Sequence, residues 1–448
     1  MLICPFSHSF VYPTPSRGFF PDPPTVLMAD NLRNRPLPRR PREEDDVEYV
    51  DLECPHFEVC AGCILNRRLD ESPKMQAAKR ILPLQQIVLR ESQAWRTHAK
   101  LAVGPKSDGG LKLGLFQQSS HNIQSIPKCV VHHPRINSVA AIIEAACERA
   151  SITGYDQSKV PATGMLRYIV LSVERESQLV QTTLVWNADG YQKALPHAKK
   201  IVEELLRPDN KVFFHSIWFH WNDNDGNAIF STGDGKWQCA YGPEFLHESL
   251  GSNLFFGEKP IFHFSPMIFR QANLDGFEDI VDEICKMVDH GDTICELYGG
   301  IGLVGLSVLA RCGIKELRCS DQNPNNQKAF NLSLLSMDPK FMSRASYVSA
   351  SAEVALLDIG EAEGANVMIV DPPRKGLGAA VLDCLCHGKQ AASVVSLIYI
   401  SCGFGALQKE LPVLISAGWS LDYSAGFALF PGSDHVETLV LLRRGPQG

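Results

Sequence analysis

Residues 293–321, TICELYGGIGLVGLSVLARCGIKELRCSD, constrain this chain more than any other stretch. The run 293–298 predicts a short buried strand. Gly299, Gly300, Gly302 and Gly305 then predict a turn that opens onto an apolar helix over 303–310, and 316–321 predicts a second strand ending on Asp321. Glycines let backbone N–H groups approach a ligand closely, and an acid at the tip of the next strand can accept from the hydroxyls of a ribose. The stretch therefore predicts a nucleoside cofactor at the edge of a parallel sheet. Gly300-x-Gly302-x-x-Gly305 with Asp321 suits a nicotinamide dinucleotide as well as S-adenosylmethionine, so the choice has to come from elsewhere in the chain.

Downstream, 367–371, 394–402, 424–430 and 437–442 are further strand candidates with helices between most of them. Strands alternating with helices predict a doubly wound, largely parallel α/β sheet with ligands at the carboxyl ends of its strands. This Rossmann-like domain spans 261–448 and is entered through IFHFSPMIFRQAN and an amphipathic helix over 275–288. Three loops at predicted strand ends carry chemistry. Asp371-Pro-Pro-Arg374-Lys-Gly376 caps one strand with a carboxylate and a stiff turn. Tyr399-Ile-Ser401-Cys402-Gly403-Phe404 puts a thiol just past a second, and PGSDHVE puts Glu437 at the start of the last. The three together are far more specific than any one alone.

Upstream, Cys54-x5-Cys60-x2-Cys63 places three thiols where they can wrap one soft metal centre, with Cys129 the best fourth donor. The spacing leaves zinc and an iron–sulfur cluster both open. This segment, 47–82, is followed by a mostly β region over 83–260, with strand candidates at 95–103, 111–116, 165–173 and 179–186 and helices at 138–150 and 195–206. Between 64 and 112, ten Lys/Arg face four Asp/Glu, a local positive excess in a chain of net charge −7. Cys147, Cys239, Cys285, Cys295, Cys312, Cys319, Cys384 and Cys386 lie in apolar runs and are expected in the core. Residues 1–46 read as a disordered tail; with only Asp22 and Asp30 as acids before Glu43, they also suit a mitochondrial or plastid transit segment. A cytoplasmic or organellar monomer without a membrane span is expected.

LYGGIGLVGL, SDQN, IVDPPRKGL, YISCGF and FPGSDHVETLVLL, in this order, resemble the RNA uridine C5-methyltransferases that use S-adenosylmethionine. CPHFEVCAGC with Cys129 is similar to the [4Fe-4S] motif of that family's ribosomal RNA members. The resemblance covers about 54–443. It implies Cys402 as nucleophile, Glu437 as general base, Gln271, Tyr298, Asp321 and Asp371 as cofactor and active-site contacts beside Gly300, and Cys54, Cys60, Cys63 and Cys129 as cluster ligands. It further implies an RNA partner, most directly large-subunit ribosomal RNA. Gly403-Phe404 departs from the family's usual Asn-Pro after the cysteine. The stretch before Cys54 is too short and irregular for the small β-barrel RNA-binding module of many relatives. Other readings are a transfer RNA uridine methyltransferase, an RNA cytosine C5-methyltransferase, which would carry Pro-Cys where this chain has Asp371-Pro-Pro-Arg374, and a catalytically silent iron–sulfur RNA-binding protein.

Overall fold

The computed structural model describes residues 52–445 except 108, 225, 227, 232, 234 and 251–258. The segment 1–46 lies outside them. The first half carries helix α1 (Pro73–Ile81), strands β1 (Gln86–Val88), β2 (His98–Pro105), β3 (Leu111–Phe116) and β4 (Ile123–Ser125), helix α2 (Pro134–Ala150), strands β5 (Leu166–Val173) and β6 (Val180–Trp186), helix α3 (Tyr191–Leu205), and strands β7 (Phe214–Trp221) and β8 (Trp237–Tyr241). The second half carries β9 (Leu246–Ser249), β10 (Ile261–Phe264), α4 (Leu274–Met287), β11 (Thr293–Leu297), α5 (Leu303–Cys312), β12 (Glu316–Asp321), α6 (Pro324–Leu335), β13 (Ala345–Ser349), β14 (Val367–Val370), α7 (Ala379–His387), β15 (Ser396–Ser401), α8 (Phe404–Ser416), β16 (Ser420–Phe427) and β17 (Glu437–Arg443).

Eight strands form the larger sheet in the order β1-β16-β17-β15-β14-β11-β12-β13. From β15 to β13 every neighbour is parallel, and β17 runs antiparallel to both β15 and β16. The central strands β11, β14 and β15 are buried along their whole length because both faces are covered. Ile294, Leu317, Ile369 and Ile398 pack against α4, α5 and α6, while Cys295, Leu297, Met368 and Tyr399 pack against α1, α7 and α8. The fold is the doubly wound α/β sheet that the sequence predicts.

A second sheet, ordered β4-β3-β2-β5-β6-β7-β8, is antiparallel except between β6 and β7. Val139 and Ile143 of α2 and Ala198 and Ile201 of α3 cover one face. Gln86–Val88, within the stretch 83–260, belongs instead to the eight-stranded sheet, pairing parallel with Ala425–Phe427. Cys239 is exposed, a correction to its expected place in the core, because β8 is an edge strand with one open side. Cys147, Cys295, Cys319, Cys384 and Cys386 are buried, and Cys285 and Cys312 partly so. Among the described residues, no helix is long and apolar enough to cross a membrane.

Candidate active site and thiol cavity

The loop after β11 begins with Tyr298 in the left-handed region (φ 57°), a conformation that costs a non-glycine residue energy and is usually kept for function. Its hydroxyl donates to the Leu377 carbonyl beyond the Asp371 turn. Three of the four glycines serve packing. A Cβ at Gly299 would meet Cys319 Sγ at 2.5 Å, one at Gly302 the Phe330 ring at 2.5 Å, and one at Gly305 Glu296 Oε2 at 2.3 Å. Gly300 differs: its φ is +57° and its missing Cβ points into open space. Its N–H donates to Asp321 Oδ2 at 3.1 Å, and its carbonyl accepts from the Tyr347 hydroxyl at 2.8 Å. Asp321 Oδ1 accepts from Asn323 N at 2.8 Å and Asn326 Nδ2 at 3.0 Å, which fixes the carboxylate while leaving lone pairs for a ligand.

Gln271 lies half-buried in the loop between β10 and α4. Asn323 Nδ2 ties this loop to the Asp321 turn through the Met267 carbonyl (3.2 Å), and Asn273 Nδ2 ties it to the Leu429 carbonyl (2.8 Å) just past β16. Gln271 is thus suspended between the Asp321 turn and the loop that leads to Glu437.

Asp371, Cys402 and Glu437 sit at the ends of β14, β15 and β17, three adjacent strands. Burial pushes the Cys402 thiol up to about 11, with the negative charges of Glu437 and Asp371 adding to it and Arg374 opposing. Burial likewise pushes Asp371 up to about 7. Glu437, 7 % exposed, is held well above the carboxylate range by burial and then by Asp371, against Arg374. One thiol and two carboxyl groups therefore share a recess in which anions are disfavoured, and a bound cation would shift all three toward ionisation. Gly403 follows from crowding: a Cβ there would meet the Arg374 carbonyl oxygen at 2.4 Å and its Cα at 2.8 Å. The backbones of the Cys402 and Asp371 loops touch at this point, and the hinge admits no side chain.

The four remaining thiols converge elsewhere. Cys54, Cys60, Cys63 and Cys129 line one cavity of about 160 Å³, together with Arg96, His56 and His132. Cys63 is pushed up to about 12 by burial and then by Cys129, Cys60 and Cys54. The Lys128 N–H donates to His56 Nε2 at 3.1 Å, joining the two segments that supply the thiols. Among the described residues, no three His, Cys, Asp or Glu side chains are grouped to hold a metal ion. The thiol segment is also fastened to the loop before Glu437. Ile64 N and Leu65 N donate to the Gly432 carbonyl at 2.7 and 2.9 Å, and Lys74 N donates to Asp434 Oδ1 at 3.0 Å. Arg96 stacks over Trp95 and reaches toward Phe430, whose ring meets Trp95 edge-on at 5.6 Å.

Glu296, in the middle of β11, escapes sequence reading. It is 2 % exposed, accepts from Gly305 N at 3.1 Å through Oε1, and is pushed up to about 7 by burial. The signal is the pair of glycines at 299 and 305, which make room for this side chain. Glu410 is similar: it accepts from the Tyr399 hydroxyl at 2.8 Å and from Leu377 N at 2.9 Å, stiffening the Asp371 turn from below.

Comparison with known proteins bears on this arrangement. The profile of the tRNA (uracil-5-)-methyltransferase family matches residues 257–445. An uncharacterized RNA methyltransferase of Protochlamydia amoebophila is 34% identical over 396 residues, covering 88% of this chain and 98% of the relative. A Bacillus cereus protein of the same description is 24% identical over 414 residues, covering 88% and 83%. The crystal structure of Pyrococcus abyssi tRNA (uracil-54, C5)-methyltransferase in complex with S-adenosyl-L-homocysteine superposes with a TM-score of 0.66 at 21% identity, over 86% of each chain, and so shares the fold. The chain belongs to the RNA (uracil-5-)methyltransferase family, enzymes that draw their methyl group from S-adenosylmethionine.

Proposed function

We propose that the protein methylates carbon 5 of a uridine in ribosomal RNA through a covalent bond between Cys402 and carbon 6 of the base. The observation that supports this is the meeting of Cys402, Asp371 and Glu437 at the ends of three adjacent strands. Carbon 5 of uracil is a poor nucleophile, and addition of a thiolate at carbon 6 turns the ring into an enolate with charge at carbon 5. Cys402 performs that addition. After methylation a proton remains on carbon 5; Glu437 removes it, and the thiolate then leaves by elimination. Arg374 favours the thiolate form of Cys402, whereas an ionised Asp371 disfavours it.

The open space over Gly300 beside the fixed Asp321 carboxylate fits the ribose of S-adenosylmethionine, with Tyr298 and Gln271 at its flanks. When bound, this cofactor supplies a methyl group on a sulfonium centre. Its positive charge also favours the ionised forms of Asp371, Glu437 and Cys402.

Cys54, Cys60, Cys63 and Cys129 would hold a [4Fe-4S] cluster. A cavity of about 160 Å³ between four thiols is far larger than a single ion needs, given that a water molecule requires roughly 10–15 Å³ of such space. The cluster's role is structural: the thiol segment braces the Gly432 loop and, through it, the start of β17. The resemblance of this motif to ribosomal RNA members favours ribosomal RNA; the activity named for the Pyrococcus abyssi enzyme favours transfer RNA as the second reading. Mapping 5-methyluridine in both RNAs with and without the gene decides between them. Loss confined to ribosomal RNA supports the first reading, loss confined to transfer RNA the second, and loss in neither removes both.

A further inference from the structure

A second cavity, of about 40 Å³, opens where strands β2, β5 and β6 meet the loop before Gln271. Its walls are His98 and Lys100 on β2, Gln181 and Thr183 on β6, Phe230, and Phe269 on that loop. None of the residues assigned to catalysis lines it. Phe269 is 72 % exposed, which leaves its ring open to solvent beside the cavity. Thr183, only 2 % exposed, is part of the cavity wall. Gln181 Nε2 is taken up by the Glu244 and Phe264 carbonyls, at 3.3 and 3.5 Å, which leaves Oε1 as an acceptor. His98 Nδ1 is engaged by Ser172 Oγ at 2.8 Å, and burial holds the ring neutral. Lys100 stands at the rim over the Phe230 ring (5.4 Å) and pairs with no carboxylate among the described residues.

The combination is specific in chemistry. Polar side chains lie inside, among them the Arg270 guanidinium held by the Thr97 and Val173 carbonyls and by Glu248, aromatic faces stand beside them, and the Lys100 ammonium marks the edge. A nucleobase needs the first two, and the phosphate attached to it needs the third. Size narrows the choice: at roughly 10–15 Å³ per water and about 30 Å³ of liquid each, the space equals about three waters, roughly 90 Å³, which suits one six-membered ring rather than a fused purine. We infer that this cavity is a subsite for an unpaired pyrimidine nucleotide of the RNA, its base edge on Thr183 and Gln181, its face toward Phe269 and its phosphate on Lys100. The inference rests on the proposed RNA methylation and adds to it a second anchored nucleotide, held by the central sheet while the target uridine is held by the catalytic half.

Binding of the single-stranded octanucleotides C8 and A8 tests it, using full-length Cys402→Ala protein saturated with S-adenosyl-L-homocysteine so that no uridine chemistry intervenes. C8 is expected to bind at least fivefold more tightly than A8. Thr183→Val should bring the two within twofold, and Thr183→Ser should restore the preference. Lys100→Ala should weaken both and lower the slope of log affinity against log salt by about 0.7, the loss of one single-strand phosphate contact. Unchanged selectivity in Thr183→Val, or an unchanged slope in Lys100→Ala, with cofactor binding intact in each, overturns the subsite. Wild-type protein is assayed in parallel for methyl transfer to ribosomal and transfer RNA. Transfer accompanied by absent C8 selectivity overturns the subsite alone, whereas no transfer to either RNA overturns the parent reading and the subsite with it.

Discussion

Replacing Asp371 by Asn should stabilise the cofactor-free protein at alkaline pH while disabling it. Burial raises this carboxyl from 3.8 to about 7. At about 1.4 kcal/mol per unit, three units set a ceiling of about 4 kcal/mol, and discounting for the partial exposure of the side chain leaves about 1–2 kcal/mol. The sign follows from proton counting. The native carboxyl keeps its proton to near pH 7, whereas the unfolded one loses it near pH 4, so the native state binds more protons between these limits. Stability contributed by Asp371 therefore falls as pH climbs through that window and levels off above it. Asparagine cannot ionise, so Asp371→Asn should match wild type near pH 4 and exceed it by about 1–2 kcal/mol at pH 8. Urea unfolding midpoints from pH 4.5 to 8.5 measure the difference. S-adenosylmethionine, a cation, should stabilise wild type more at pH 8 than at pH 6, and S-adenosyl-L-homocysteine, lacking that charge, should not. Identical pH profiles for wild type and variant would refute the claim that Asp371 is held protonated by its recess.

Gly403→Ala drives a methyl group into the Arg374 backbone and should cost about 1–3 kcal/mol of stability, with a fall in kcat larger than any change in KM for cofactor, as read by denaturation and steady-state kinetics. Protein purified without oxygen should contain iron and acid-labile sulfide in equal amounts, and Cys129→Ser should lose both; stoichiometric zinc without sulfide would contradict the cluster. Removing that cluster with a chelator should raise hydrogen exchange at Ile64 and Leu65, whose N–H groups bond to Gly432, before it does so in β11 or β14.

The strand–glycine–helix–strand stretch was legible because its apolar runs and turn residues all predict the same elements, and β11, α5 and β12 fall within two residues of the expected bounds. Asp371, Cys402 and Glu437 were legible as chemistry at strand ends, but their sharing of one recess depends on the strand order β17-β15-β14, which no local pattern specifies. The glycines were misread in part. Sequence assigns all of them to a ligand, whereas three make room for Cys319, Phe330 and Glu296, side chains whose proximity arises only in the folded sheet. Strand β1 is three residues long, too short for a periodic signal, and its partner Ala425–Phe427 lies more than three hundred residues away. The brace between Ile64, Leu65 and Gly432 is hidden for the same reason: backbone hydrogen bonds between distant loops leave no mark on side-chain type.

The covalent route is tested most directly by Glu437→Gln, because Cys402 acts before methyl transfer and Glu437 only after it. With labelled S-adenosylmethionine and substrate RNA, the variant should add the thiolate, accept the methyl group and stall, since no base removes the proton on carbon 5. A labelled protein–RNA adduct should then survive a denaturing gel, and the Cys402→Ala/Glu437→Gln double variant should show none. Turnover by Glu437→Gln at near wild-type rate without adduct, or methylation by Cys402→Ala, would contradict the mechanism.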